Sequence, residues 1–441
     1  MFGGKEGRQT ASSVPAPITL DSASDEEPEI EETQLATRPV FPDWVMPGTS
    51  LYEGLVKPVV ESSSKYPELV FMPGVVMLLN AIAGHVYIKS HRFMPTLYLG
   101  IIAPYGQFFK SSSMEIAQRY FGPGLVDTAK RHVAHMSEPS QGKTMIATIG
   151  STEGLGVAMN NVNATKAVLY FDELSKFVNK AGIEHSSFGD DMLTFYESGE
   201  FGNTIKAKKE SFTFPAGTYC FSWMWATTDR AFPRLWAKLD NISTGLNDRL
   251  FFLLTPEKPR EATFFSDPML DEGAKRTKVL IDKAIRQGVY DFEDYPAAQA
   301  KLKTITDPRS IGLVERLALY FAIDLGLDVI DGECLDRAIA LVNYRKATLA
   351  YLDPIEAESR QGRLQQEITR ELRRNGGKMP YRRLTRDLHA DRKGTYFWKD
   401  SIKGLELEGV IAVREAKPGK GSDQRPKMVY LLKDSDWGSQ A

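Results

Sequence analysis

Two pairs of residues have the types and the setting to handle a phosphorylated ligand: Lys110-Ser111 and, about sixty residues later, Asp172-Glu173. The apolar run TLYLGII (96–102) feeds the loop APYGQFF, and Lys110-Ser111 opens the helical segment SSSMEIAQRYF. A strand, a tight loop and a helix N-terminus in that order hold phosphates on backbone N–H groups. The lysine reaches the terminal phosphates and the hydroxyl binds magnesium. Gly106, Gln107, Lys110, Ser111 and Ser112 are then the expected ATP contacts, with Ser111 also on Mg2+. Pro104 and Phe109 stand where G-x-x-x-x-G-K has its glycines, leaving only Gly106. A Cβ in a left-handed position costs about 1–2 kcal/mol, so a different loop path is open, and a basic residue at a helix start also has a plain structural reading.

The second pair ends the apolar run KAVLYFDEL (166–174), at the carboxyl end of a strand, where open α/β sheets bind ligands. Asp172 is expected in the magnesium shell and Glu173 on the attacking water. The alternative is a solvated strand end. GTYCFSWMWATT (217–228) ends in Thr227-Thr228, and Thr228 is a candidate sensor of the γ-phosphate. Arg249, in GLNDRLFFLL, is a candidate finger reaching a neighbouring subunit's nucleotide. Arg230 and Arg234 are its rivals, and a salt bridge of Arg249 with Asp248 or Glu257 is the structural alternative.

These residues need a framework. Buried-type runs at 96–102, 143–150, 166–174, 217–228 and 249–254, with helical segments between several of them, imply an α/β fold with a mostly parallel sheet. Ser151 and Thr152 carry the helix-start signal of STEGLGVAMNN. The divisions read along the chain are an acidic, disordered tail at 1–40, a helical lead-in at 41–95 and a core at 96–262. A helical domain at 263–358, without strand signals, and a terminal unit at 359–434 follow. Residues 69–88 lack Lys, Arg, Asp and Glu, but Pro73-Gly74 breaks the run. The remainder falls short of the ~20 residues of a membrane span, so a buried helix over roughly 75–88 is expected.

With 441 residues, 42% of them hydrophobic and 25% charged, the chain reads as a multidomain globular protein. Its two cysteines, Cys220 and Cys334, exclude a disulfide framework and point to a reducing, cytoplasmic setting, in line with the polar N-terminus. His132 and His135 could share a helix face, and we read them as a solvated pair. The net charge of -2 hides an acidic run at 21–32 and a basic C-terminal end.

The segments APYGQFFKSSS, STEGLGVAMN, YFDEL, GLNDRLFFLL and SIGLVERLALYFAID resemble, in this order, a family of phage- and plasmid-encoded primase-helicase-like ATPases, over roughly residues 65–350. NDRLFF is similar to the finger-bearing segment of the MCM replicative helicases, which also end in a winged helix. The resemblance implies a RecA-like or AAA-like P-loop core. It maps Lys110 and Ser111 to Walker A, Asp172 and Glu173 to Walker B, and Arg249 to the finger.

Residues 363–433 carry 18 Lys/Arg against 9 Asp/Glu, a net of +9, the footprint of a phosphate binder. Three short helices precede two strands, VIAVRE and KMVYLLK, in winged-helix order. Arg382, Arg383, Arg386, Arg392, Lys393 and Lys399, interleaved with Tyr396 and Phe397, are the expected DNA contacts on the helices. Lys417, Lys420, Arg425 and Lys427 belong to the wing. A solvated face or a protein-binding winged helix is the alternative. Together these features suggest a DNA-dependent ATPase, a ring-forming homo-oligomer, expected as a hexamer. It would be a helicase of a mobile element, with a primase or polymerase as partner and no membrane role. The rival is a DNA-binding regulatory or scaffold protein that holds nucleotide without useful hydrolysis.

Overall fold

A computed structural model describes residues 38–90, 94–106, 108–122, 126–128, 131–134, 143–147, 151–181, 187–205, 210–233, 235–236, 245–256, 269–305, 307–352, 360–390, 394–415 and 427–432. The acidic run at 21–32 lies outside them, as do Gln107, His135, Arg234, Arg392, Lys393, Lys417, Lys420 and Arg425. Contacts divide the chain into two compact units, with a boundary between residues 359 and 360.

In the first unit, helices α1 (Lys57–Ser62) and α2 (Pro67–Ile82) precede strands β1 (Tyr87–Ile88) and β2 (Tyr98–Ile102). Next come α3 (Lys110–Phe121), β3 (Val126–Thr128), β4 (Arg131–Ala134), β5 (Lys143–Ala147), α4 (Thr152–Val162) and β6 (Ala164–Phe171). The chain continues through α5 (Leu174–Ala181), α6 (Phe188–Tyr196), β7 (Phe201–Ile205), β8 (Glu210–Phe214), β9 (Cys220–Thr227) and β10 (Leu250–Leu254). It ends with α7 (Asp271–Gln287), β11 (Val289–Tyr290), α8 (Tyr295–Leu302), α9 (Pro308–Asp324) and α10 (Gly332–Leu352).

The main sheet has the order β10-β2-β9-β6-β5-β4-β3. Its first five strands are mutually parallel, and β4 and β3 add an antiparallel edge. Numbered by their appearance in the chain, the parallel strands stand 5-1-4-3-2. Side chains alternate between two apolar layers: Leu99, Ile101, Met224, Ala226, Phe251 and Leu253 face α2, α3 and α9. Tyr98, Leu169, Phe171, Trp223, Trp225 and Phe252 face α4, α5 and α6. Burial on both faces makes these strands continuous apolar runs in sequence. Gly100 leaves room for Trp225, whose ring would lie 2.2 Å from an added Cβ.

Helix α2 starts earlier than the expected position near residue 75 and runs through Pro73. The missing N–H removes one hydrogen bond, but every side chain from Glu68 to Ile82 is buried, and packing holds the helix together. Gly74 lets Leu51 approach, with Cδ1 3.1 Å from where a Cβ would stand. Beneath its last turn, Lys166 donates to Ala81 O at 2.8 Å, and burial pushes the ammonium down to about 8. Three strand features escape the sequence reading. The hairpins β3–β4 and β7–β8 lie in polar stretches, and β11 pairs with β1 within the stretch read as wholly helical. His132 sits on β4 opposite Ile146, not on a helix. Ser151 does cap α4, accepting from Gly154 N at 3.1 Å, while Thr152 donates to Asp191.

The sharpest packing constraint is between glycines. A Cβ on Gly273, in α7, would stand 2.3 Å from Gly54 O and 2.5 Å from Gly54 Cα, in the π-helical turn Tyr52–Val56. Backbone cannot swing aside as a side-chain end can. Gly273→Ala is therefore expected to destabilise the chain by about 1–3 kcal/mol, read as a lower midpoint in thermal or urea unfolding.

The second unit contains α11 (Arg360–Arg374), β12 (Lys378–Pro380), α12 (Tyr381–Asp387), α13 (Thr395–Leu407), β13 (Ile411–Glu415) and β14 (Lys427–Leu431). Its sheet is antiparallel, in the order β12-β14-β13. The three-residue strand β12 adds to the two expected from sequence. Leu364, Ile368, Leu372, Leu384, Trp398, Ile402 and Val429 form a separate core, and Trp398 Nε1 donates to Tyr381 Oη at 2.9 Å. Among the described residues, no helix is long and apolar enough to cross a membrane.

Candidate active site

The loop after β2, the turn after β9 and the acidic pair after β6 all leave the carboxyl ends of parallel strands, with β9 between the other two. Ala103 N donates to Thr227 O at 3.2 Å, which ties the lysine loop to the β9 turn. The chain leaves β2 for α3 on one face of the sheet, and leaves β6 for α5 on the other. Such a reversal opens a crevice at the strand ends.

The loop keeps left-handed backbone at two residues, Gly106 (φ 72°) and Phe109 (φ 52°, ψ 34°). Glycine does this freely, whereas Phe109 must offset its Cβ clash. Its ring lies 5.3 Å from the Lys65 ammonium, and neighbouring Phe108 is buried and stacks on Tyr66 at 5.7 Å. Its carbonyl accepts from Ser113 N at 2.9 Å and from the hydroxyls of Ser112 and Ser113 at 3.1 and 2.9 Å. Ring packing and a hydroxyl-braced first turn thus hold Phe109 in the left-handed region. Ser112 is occupied by that bracing.

Lys110 begins α3, half-buried, with Nζ donating to Ala103 O at 2.9 Å and Pro104 O at 3.1 Å. Burial pulls its pKa down, and the carboxylates of Glu173 and Asp229 pull it back up. Burial raises the Glu173 carboxyl above the ordinary range; Lys110 opposes that shift and Asp172 adds to it. The structure therefore gathers Lys110 and Glu173, distant in sequence, within electrostatic reach. Asp172 pairs with Lys176 one turn into α5. The Tyr170 hydroxyl, near the end of the same strand, lies beside Ser111 and Glu115. No cluster of three or more His, Cys, Asp or Glu side chains suited to a metal occurs among the described residues.

At the β9 tip, Thr228 Oγ1 accepts from Ala231 N at 3.2 Å and shapes the turn. Thr227 Oγ1 is the buried hydroxyl there, without a hydrogen-bond partner among the described residues. A cleft of about 450 Å³ is lined by Pro104, Tyr105, Thr228, Asp229 and Arg230. Sequence reading missed Asp229 and Tyr105. Both adjoin motif residues, but nothing in their spacing marks them.

Arg249 is not brought to this edge. It precedes β10, at the amino end of the parallel strands, and pairs with Glu197 at 3.1 Å and not with Asp248, while Glu257 lies outside the described residues. Asp248 pairs instead with Arg309.

In the second unit, Arg382, Arg383 and Arg386 are exposed on α12, the latter two sharing Asp387 at 3.3 and 3.1 Å. On α13, Tyr396, Lys399 and Lys403 are exposed at helical spacing, while Phe397 packs toward the core. Lys403 was not singled out from sequence. Neither protein-family models nor curated proteins match the chain.

Proposed function

We propose that the first unit is a P-loop ATPase core and the second a winged-helix nucleic-acid-binding unit. Together they make a nucleic-acid-dependent ATPase of a mobile element's replication machinery. One observation carries the reading. Lys110 and Glu173 stand within electrostatic reach of each other at the carboxyl edge of a parallel sheet, at a reversal of chain direction, with a third strand tip between their strands. In this reading α3's first turn and the loop N–H groups hold the phosphates, and Lys110 exchanges its two loop carbonyls for phosphate oxygens.

Magnesium takes one or two carboxylates together with phosphate oxygens and waters. Half-exposed Asp172 and the Ser111 hydroxyl suit that donor set. Bound there, the ion would neutralise charge on the β- and γ-phosphates. Glu173 accepts a hydrogen bond from the attacking water, and its raised pKa suits it to proton transfer. The helicase activity, the hexameric ring and the primase or polymerase partner belong to the same proposal.

Steady-state ATP turnover with and without single-stranded DNA tests it, and DNA is expected to raise the rate. A chain that neither binds nor turns over ATP would sink the reading. The rival, a DNA-binding regulator that holds nucleotide without useful hydrolysis, draws on the closed loop. Lys110 and Ser112 both bond to loop backbone, and Phe109 replaces a glycine. Tight ATP binding with no turnover at any DNA concentration would favour that rival.

A further inference from the structure

A phosphoryl-transfer site needs a second cation for the charge on the transferred group, and two arginines compete for the role. Arg249 is already committed. Nη1 donates to Gly245 O at 2.9 Å, Nη2 to Glu197 Oε1 at 3.1 Å, and the guanidinium lies 5.6 Å from the Tyr196 ring centroid. Its side chain is only 11% exposed. Acting as a finger would cost it all three contacts.

Arg230 is the opposite case. It is exposed, and its guanidinium has no partner among the described residues. Its backbone is held in place, because Arg230 N donates to Asp229 Oδ1 at 2.9 Å. The turn that carries it is tied to the lysine loop through Ala103 N and Thr227 O. Arg230 and Asp229 line the same cleft as Pro104 and Tyr105.

Resting on the ATPase reading, we propose that Arg230, from the same chain, supplies the cation that neutralises the terminal phosphoryl group of a nucleoside triphosphate, so that each site needs no arginine from a neighbouring subunit. Asp229 is the counter-charge on the same turn, balancing Lys110 until the triphosphate arrives. The step it serves is hydrolysis. The water oxygen bonds to the γ-phosphorus as the bond from that phosphorus to the β–γ bridging oxygen breaks. The electron pair stays on the nucleoside diphosphate, and the water proton leaves by way of Glu173. An arginine in place before the reaction spreads the charge on the γ-oxygens without waiting for assembly.

The test combines binding of fluorescent ADP and ATP analogues with ATP turnover at several protein concentrations. Arg230→Ala is expected to keep its ADP affinity, lose its preference for ATP and lose about 10³-fold in turnover. Arg230→Lys should recover part of the rate, since it restores charge but not the planar fork. Mixing Arg230→Ala with Lys110→Ala chains should recover nothing, because both lesions lie in one chain's site. Native-rate turnover by Arg230→Ala, or recovered activity in that mixture, would overturn the inference and leave the ATPase reading standing. A native chain without ATP binding or turnover removes both.

Discussion

Glu173→Gln is expected to bind ATP as tightly as the native chain and to hydrolyse it about 10²–10⁴-fold more slowly. The amide keeps the shape of the side chain and removes only the proton acceptor. Lys110→Ala is expected to fail one step earlier and lose binding, because it removes the one cation of the lysine loop. Lys110 Nζ also donates to Ala103 O and Pro104 O, so Lys110→Met serves as a control that keeps the stem. Equilibrium binding and single-turnover hydrolysis separate the two variants. Native-rate hydrolysis by the Gln variant would remove the role given to Glu173.

Binding of the full chain to DNA is expected to weaken steeply with salt. Each neutralised phosphate contributes about -0.9 to the log–log slope on duplex. The net charge of +9 over residues 363–433 supplies the driving force. Arg382→Ala combined with Lys399→Ala and Lys403→Ala should flatten the slope about equally on unrelated sequences, since phosphate contacts position a protein and do not read bases. Arg383 and Arg386 share Asp387. Exposed pairs of that kind are worth about 0–1 kcal/mol, so both remain available to phosphates. Their replacement should flatten the slope further. Fluorescence anisotropy across a salt series measures all of this. No binding even at low salt would turn the second unit into a protein-interaction module.

By itself the sequence determined the five parallel strands, because a strand buried on both faces reads as a nearly continuous apolar run, as Leu99–Ile102 and Trp223–Ala226 do. It determined that Lys110 opens a helix and that Asp172-Glu173 ends a strand, since both follow such runs directly. It could not determine that β9 lies between β2 and β6. Apolar runs carry no record of which neighbour they pair with, and pairing depends on helices packing on both faces. The short strand at Lys378–Pro380 was hidden for a related reason: three residues hold no period, and β14 alone makes them a strand. Arg249 and Arg230 look alike as letters beside apolar runs. Only the tertiary structure spends the first on Glu197 and Tyr196 at the amino edge and leaves the second open on the cleft. A side chain's availability depends on what the rest of the fold places around it.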